Sequence, residues 1–170
     1  MRVVSIGDLV IDYYYKDNKL LGVNGGMTSH NIIANLAKLK VSTKIFGVSG
    51  NDETGKITIK SLEELGVDVS DIEIHDNIRT RAFHVSYITD KNGTIKLTSK
   101  KRCPYCNQKY WYEESGINTD EILSKLKIDD ILVFDNLCAK NQYIIDNTQN
   151  KKIIDLGQYF EFETLKIALS

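Results

Sequence analysis

The chain has 170 residues, 26% of them charged and 42% hydrophobic, a length that suits one domain with a substantial core. Its 22 basic and 23 acidic residues leave a formal charge of −1, which argues against a general nucleic-acid binder. No apolar run approaches the roughly 20 residues of a membrane span, and three cysteines fit a reducing cytoplasm better than a disulfide framework. Met1-Arg2-Val3-Val4 opens no sustained apolar stretch of the signal-peptide kind, and a single proline with little low complexity argues against disorder.

Val3-Val4-Ser5-Ile6 is a short β-branched run closed by Gly7-Asp8 and predicts a buried strand ending in a turn. Leu9 to Tyr15 is rich in strand formers. Lys16-Asp17-Asn18-Lys19 then supplies turn chemistry, and Leu20 to Val23 returns as a second strand. Asn24-Gly25-Gly26 breaks that pattern. A helix is expected from an N-cap at Thr28 or Ser29, with Ile32, Ile33, Leu36, Ala37 and Leu39 on one face. Thr43 to Val48 reads as a strand, and Asp52-Glu53-Thr54-Gly55 leads into a second helix through Ile57, Ile59, Leu62 and Leu65, stopped by Gly66.

From Val67 to Ser99 the periodicity is that of strands, with Asp90-Lys91-Asn92-Gly93 as a hairpin turn between 79–88 and 94–98. A helix from Thr119, a buried strand Ile131 to Phe134, a short helix Asn141 to Asn147 and a strand Ile153 to Leu156 follow. Alternating helices and apolar strands predict an α/β fold with a mostly parallel sheet flanked by helices. The hairpins near Tyr14 and Gly93 fall outside that alternation and are expected to form one small second sheet.

Four features then coincide in order: the opening strand with Gly7-Asp8 and Asp12; Gly25-Gly26 leading to Asn31 and Leu36-Ala37-Lys38-Leu39; Gly50-Asn51-Asp52-Glu53-Thr54-Gly55; and Leu65-Gly66-Val67-Asp68. Their order resembles the N-terminal portion of the ribokinase-like (PfkB) carbohydrate kinases. The resemblance implies one ribokinase-like domain over 1–170, truncated on its C-terminal side. Lid strands would lie at about 10–23 and 79–99, with a cysteine-containing insert at about 100–116. It also implies ATP-dependent phosphoryl transfer to a hydroxyl of a sugar or nucleoside, with ATP and Mg as cofactors of full-length relatives. Asp12, Gly25, Gly26 and Asn31 would line the sugar pocket.

The chemistry of those residues fits such a substrate. A carboxylate accepts from sugar hydroxyls, glycines let backbone approach closely, and an amide both donates and accepts. The plain structural alternatives are a strand-end turn for Asp12 and a helix cap for Asn31. Two departures stand out. Gly26 to Asn31 is five steps where the family has four, so either one residue is inserted or Met27 takes the second glycine's place. The family's late Asp-Thr-x-Gly-Ala-Gly-Asp segment, with its general base and anion-binding helix, has no counterpart, nor is there a Gly-x-x-x-x-Gly-Lys loop. No catalytic residue is therefore assigned, the isolated chain is expected to be inactive, and the alternative is a non-catalytic sugar-binding or protein-interaction remnant.

Cys103-Pro104-Tyr105-Cys106-Asn107 has the form of a zinc knuckle, with Asn107 suited to a left-handed turn. An ordinary turn and a redox pair stand beside structural Zn on Cys103 and Cys106. Lys100-Lys101-Arg102 beside aromatic residues would meet a phosphate or lie on a solvated surface. Tyr13 and Tyr15, with the apolar run Phe160, Phe162, Leu165, Ile167 and Leu169, call for a covering partner, so a homo-oligomer is expected.

Overall fold

The opening apolar run forms β1 (Val3–Ile6), the central strand of a five-stranded parallel sheet. The structure is a computed structural model that describes residues 1–7, 9–99, 102, 103, 107, 117–135 and 137–155. In chain order, the remaining elements start with a hairpin, β2 (Val10–Lys16) and β3 (Lys19–Gly26), followed by helix α1 (Met27–Lys38). Next come β4 (Thr43–Gly50), α2 (Glu53–Glu63), β5 (Asp68–His75), β6 (Arg81–Thr89) and β7 (Ile95–Ser99). The last are α3 (Thr119–Lys125), β8 (Ile131–Phe134), α4 (Ala139–Asp146) and β9 (Lys151–Ile154).

The large sheet runs β5-β4-β1-β8-β9; its inner strands β1, β4 and β8 are buried on both faces and read as apolar runs, whereas the edge strands β5 and β9 are partly exposed. Alternation sorts the side chains. Val3, Ile45 and Val133 pack with Ile33, Ala37 and Leu62 of α1 and α2. Val4, Ile6, Phe46 and Phe134 face the other way, onto Ile122 of α3 and Ile144 of α4. Fully buried side chains such as Ile6 and Leu62 each contribute about 1.5–3 kcal/mol of transfer free energy.

The two hairpins do form one second sheet, in the order β3-β2-β6-β7, joined by a parallel pairing of β2 with β6. Asp17 and Asn18 take the left-handed backbone of its first turn, and Gly93 (φ +80°) that of its second. Its small core holds Val10, Ile11, Ala82 and Cys103.

Several local expectations need correction. Asn24-Gly25-Gly26 does not end the hairpin; it pairs with Val10, Ile11 and Asp12, so β3 runs through Gly26. Helix α1 starts at Met27 with Gly26 as N-cap; the Thr28 hydroxyl is bonded to Asp155 and neither Thr28 nor Ser29 caps the helix. Leu39 is its C-cap and is 74% exposed; the buried stripe is Ile33, Ala34 and Ala37. Strand β9 spans Lys151–Ile154, so Asp155 lies just beyond it, and α4 begins two residues earlier than its periodicity suggests.

Candidate substrate site

Strand order reverses at β1: the chain moves outward on one side through β4 and β5, then on the other through β8 and β9. In open parallel sheets, ligands settle in the crevice outside the carboxyl ends of the strands at such a switch point. Gly7 ends β1 there and Asp135 ends β8. A Cβ on Gly7 would lie 2.6 Å from the Asp135 carboxylate and would collide with Ser29 Oγ, so only glycine lets the first turn of α1 close onto both strands. Asp155, after β9, accepts a hydrogen bond from the Thr28 hydroxyl at 2.5 Å.

Burial pushes the Asp135 carboxyl up to about 6, opposed by the Ser29 hydroxyl and assisted by the negative charge of Asp155. These carboxylates already face the positive end of α1, and the Asp52 side chain caps α2 by accepting from the Gly55 N–H at 2.7 Å. The N-termini of α1 and α2 are therefore both already met by carboxylates.

Asp12 enters from the second sheet. Asp12 is 6% exposed, and Oδ2 accepts the Tyr14 hydroxyl at 3.1 Å while Oδ1 is buried with no hydrogen-bond partner among the described residues. Burial raises this carboxyl to about 6, with the Tyr14 bond pulling the other way. The carboxylate sits where a Cβ of Gly26 would be. Gly26 itself is extended (φ −128°), so glycine is required there for space and not for backbone conformation. The left-handed residue is Met27, at φ +67°. Met27 thus holds the conformation glycine adopts without cost, and Asn31 is four steps beyond it, the spacing the family pattern calls for.

Gly25 is explained by His30, whose ring fills the Cβ position of that glycine. Ser61 donates to Thr58 O at 2.7 Å and so accepts from His30 Nε2, 3.0 Å away, which puts the imidazole proton on Nε2. Burial lowers this histidine to about 4, with the Asn31 side chain partly opposing, so the ring is neutral at physiological pH. Asn31 lies exposed in the first turn of α1. Asp12, Gly25 and Gly26 therefore meet at the strand-to-helix junction, while Asn31 faces outward beside it.

Sequence reasoning did not single out Asp135, and it named Thr28 and Ser29 only as N-cap candidates and Tyr14 only as part of a hairpin. Asp135 carries no local motif; only its place directly after the buried strand β8 marks it. Asp8 and Cys106 lie outside the described residues, as do Lys100, Lys101 and the segment after Asp155. Cys103 is buried, and its sulfur accepts the Ala82 N–H at 3.4 Å. Asn107 adopts the left-handed turn expected of it (φ +57°), and its N–H donates to Cys103 O at 2.8 Å. Among the described residues no three His, Cys, Asp or Glu side chains gather as a metal cluster. None of their helices is long and apolar enough to cross a membrane. A cavity of about 250 Å³ between β4, β5 and α3 lies apart from the crevice, and its Lys125 is already held by Asp71 and Glu121 at 2.5 Å each.

No family model matches the chain. A curated relative, the bifunctional protein HldE of Sulfurimonas denitrificans, is 32% identical over 98 residues, covering 46% of this chain and 20% of that one. A PfkB family carbohydrate kinase from Listeria grayi superposes with a TM-score of 0.71 at 17% identity, over 99% of this chain and 57% of that one. The 2-dehydro-3-deoxygluconokinase of Thermotoga maritima gives 0.71 at 15% identity, over 99% and 55%. Arabidopsis thaliana ribokinase, complexed with ribose and ATP, gives 0.66 at 20% identity, over 93% and 54%. The chain spans little more than half the length of these solved structures and a fifth of the curated relative. The fold is the ribokinase-like fold of the PfkB carbohydrate kinases.

Proposed function

We propose that this chain carries the sugar-binding part of an ATP-dependent carbohydrate or nucleoside kinase of the ribokinase-like type. The observation that carries the reading is the Asp12 carboxylate, buried with Oδ1 unpartnered in a junction built from two glycines and a left-handed methionine. A buried acceptor left without a donor costs about 1–3 kcal/mol, more when charged, and a substrate hydroxyl is the donor that removes the cost. Because that oxygen is closed to water, a hydroxyl reaches it only when the second sheet and α1 part at the Gly26–Met27 junction. The second sheet then serves as the lid, and Asp135 faces the same crevice as a further acceptor.

Asn31 supplies a donor and an acceptor from the rim. ATP would supply the phosphoryl group. The role of this part is to bind and orient the polyol. Thermal-shift measurements across sugars and nucleosides test the proposal: at least one polyol should stabilise the protein in a concentration-dependent way. A flat response across ribose, hexoses, 2-dehydro-3-deoxygluconate, heptose phosphates and nucleosides would contradict it.

A further inference from the structure

Tyr14 and Asp12 stand two residues apart on β2 and so project from the same face of the second sheet. The cross-strand neighbours of Tyr14 are Gly22 on β3, where a Cβ would meet nothing within 4 Å, and Val85 on β6. No side chain at the paired position of β3 holds the ring, and its hydroxyl donates to Asp12 Oδ2 at 3.1 Å. The register of β2 against β3 slips directly after Tyr14, between Tyr14 and Tyr15. The extra residue is Leu21 of β3, opposite the step from Tyr14 to Tyr15. On the other side of the carboxylate, Oδ1 lies against Gly26 and has no partner.

We infer that Tyr14 is the positioning residue of this site: by holding Oδ2, its hydroxyl fixes the one orientation of the Asp12 carboxylate in which Oδ1 meets a substrate hydroxyl at the Gly26–Met27 junction. The inference rests on the reading of Asp12 as the substrate-binding carboxylate. Tyr14 stays a donor through the neutral range, because burial and the nearby carboxylate raise its phenol to about 12. The titratable groups set against the pair are each other and Tyr87 of β6. Freed from Tyr14, the carboxylate rotates between orientations and loses a hydrogen bond made to its charged form, so it takes up a proton more readily.

The test is a carboxyl carbon NMR titration of Asp12 in the wild-type chain and in Tyr14→Phe, with Tyr87→Phe as the control. Loss of the hydroxyl should raise the Asp12 midpoint by about one pH unit, whereas Tyr87→Phe leaves it in place. In the wild type, the Tyr14 ring carbon bearing the hydroxyl should shift with that same midpoint, a readout that needs no variant to fold. An Asp12 midpoint unchanged in Tyr14→Phe, or a Tyr14 signal that ignores Asp12, overturns the inference. With D-ribose as probe, Tyr14→Phe should weaken binding at least fivefold. If ribose fails to bind the wild type, the substrate reading fails for ribose while the titration still decides the role of Tyr14.

Discussion

The Thr80 N–H donates to Asp52 Oδ2 at 2.9 Å, joining the approach to β6 in the second sheet to the start of α2 on the large one. The other Asp52 oxygen caps α2 through the Gly55 N–H, and Thr80 Oγ1 in turn accepts the Gly50 N–H at 2.9 Å. A Cβ on Gly55 would lie 2.7 Å from Thr80 Oγ1, so the Gly50 to Gly55 motif is the packing that lets this lock close. One of the four motifs that together resemble the carbohydrate kinases is thus a joint between the second sheet and the helix layer of the large one.

Breaking the joint has a defined cost. Asp52→Ala removes a helix cap and a second backbone acceptor together and should destabilise by about 2–3 kcal/mol. Thr80→Val should cost about 1–2 kcal/mol. Because both act on one junction, the double variant should cost less than their sum, by at least about 0.5 kcal/mol. Denaturant unfolding of the four proteins measures this, and strict additivity would show that the two residues act separately.

Met27 gives a reversal of the ordinary helix ranking. At a usual helical position, Ala is about 1 kcal/mol better than Gly. At φ +67° the order inverts, since alanine keeps the left-handed strain and glycine does not. Met27→Gly should therefore be more stable than Met27→Ala by about 1 kcal/mol, both having lost the same thioether packing. Equal stabilities, or alanine ahead, would show that the junction relaxes.

Much of this architecture was legible in the sequence, for a physical reason. Strands buried on both faces and helices packed on one must be patterned to fold, so β1, β4, β8, α1 and α2 announce themselves, and Asp90 to Gly93 announces its turn. What stayed hidden is what forms only when distant segments meet. Gly25 and Gly26 look like a break because their need for no side chain comes from His30 and Asp12. Thr28 and Ser29 look like caps because local sequence gives no sign of Asp155 and Asp135, more than a hundred residues away. The site was half legible: Asp12 and the glycine pair were named, whereas Asp135 and Tyr14 carry no motif.

The buried carboxylate makes an unusual pH prediction. The Asp12 value, raised from 3.8 to about 6, means that the folded state holds its proton more tightly than the unfolded chain. Its contribution is present in full below pH 3.8 and is lost as pH rises through 6. Asp12→Asn should therefore stabilise the ligand-free protein at pH 8 by about 1–2 kcal/mol and by roughly half as much at pH 5. Melting curves of both proteins at the two pH values check it; an Asn variant less stable at pH 8 would show that Asp12 is satisfied without ligand.

His30 works in the opposite direction. Its value is lowered from 6.5 to about 4, so its contribution is present above 6.5 and is lost as pH falls toward 4. Wild type should lose stability over that interval by more than His30→Gln does. Parallel pH profiles for the two proteins would place the destabilising charge elsewhere.

The central claim is that Asp12 receives a sugar hydroxyl. Binding calorimetry of wild type and Asp12→Asn, at pH 8 and with the polyol that gives the largest thermal shift, tests it most directly. Because Asp12→Asn is expected to be the more stable protein at that pH, lost affinity cannot be put down to unfolding. The account predicts that affinity falls at least tenfold, the effect of losing a charge-assisted hydrogen bond worth about 1.5–3 kcal/mol. Equal affinity in the two proteins would contradict it.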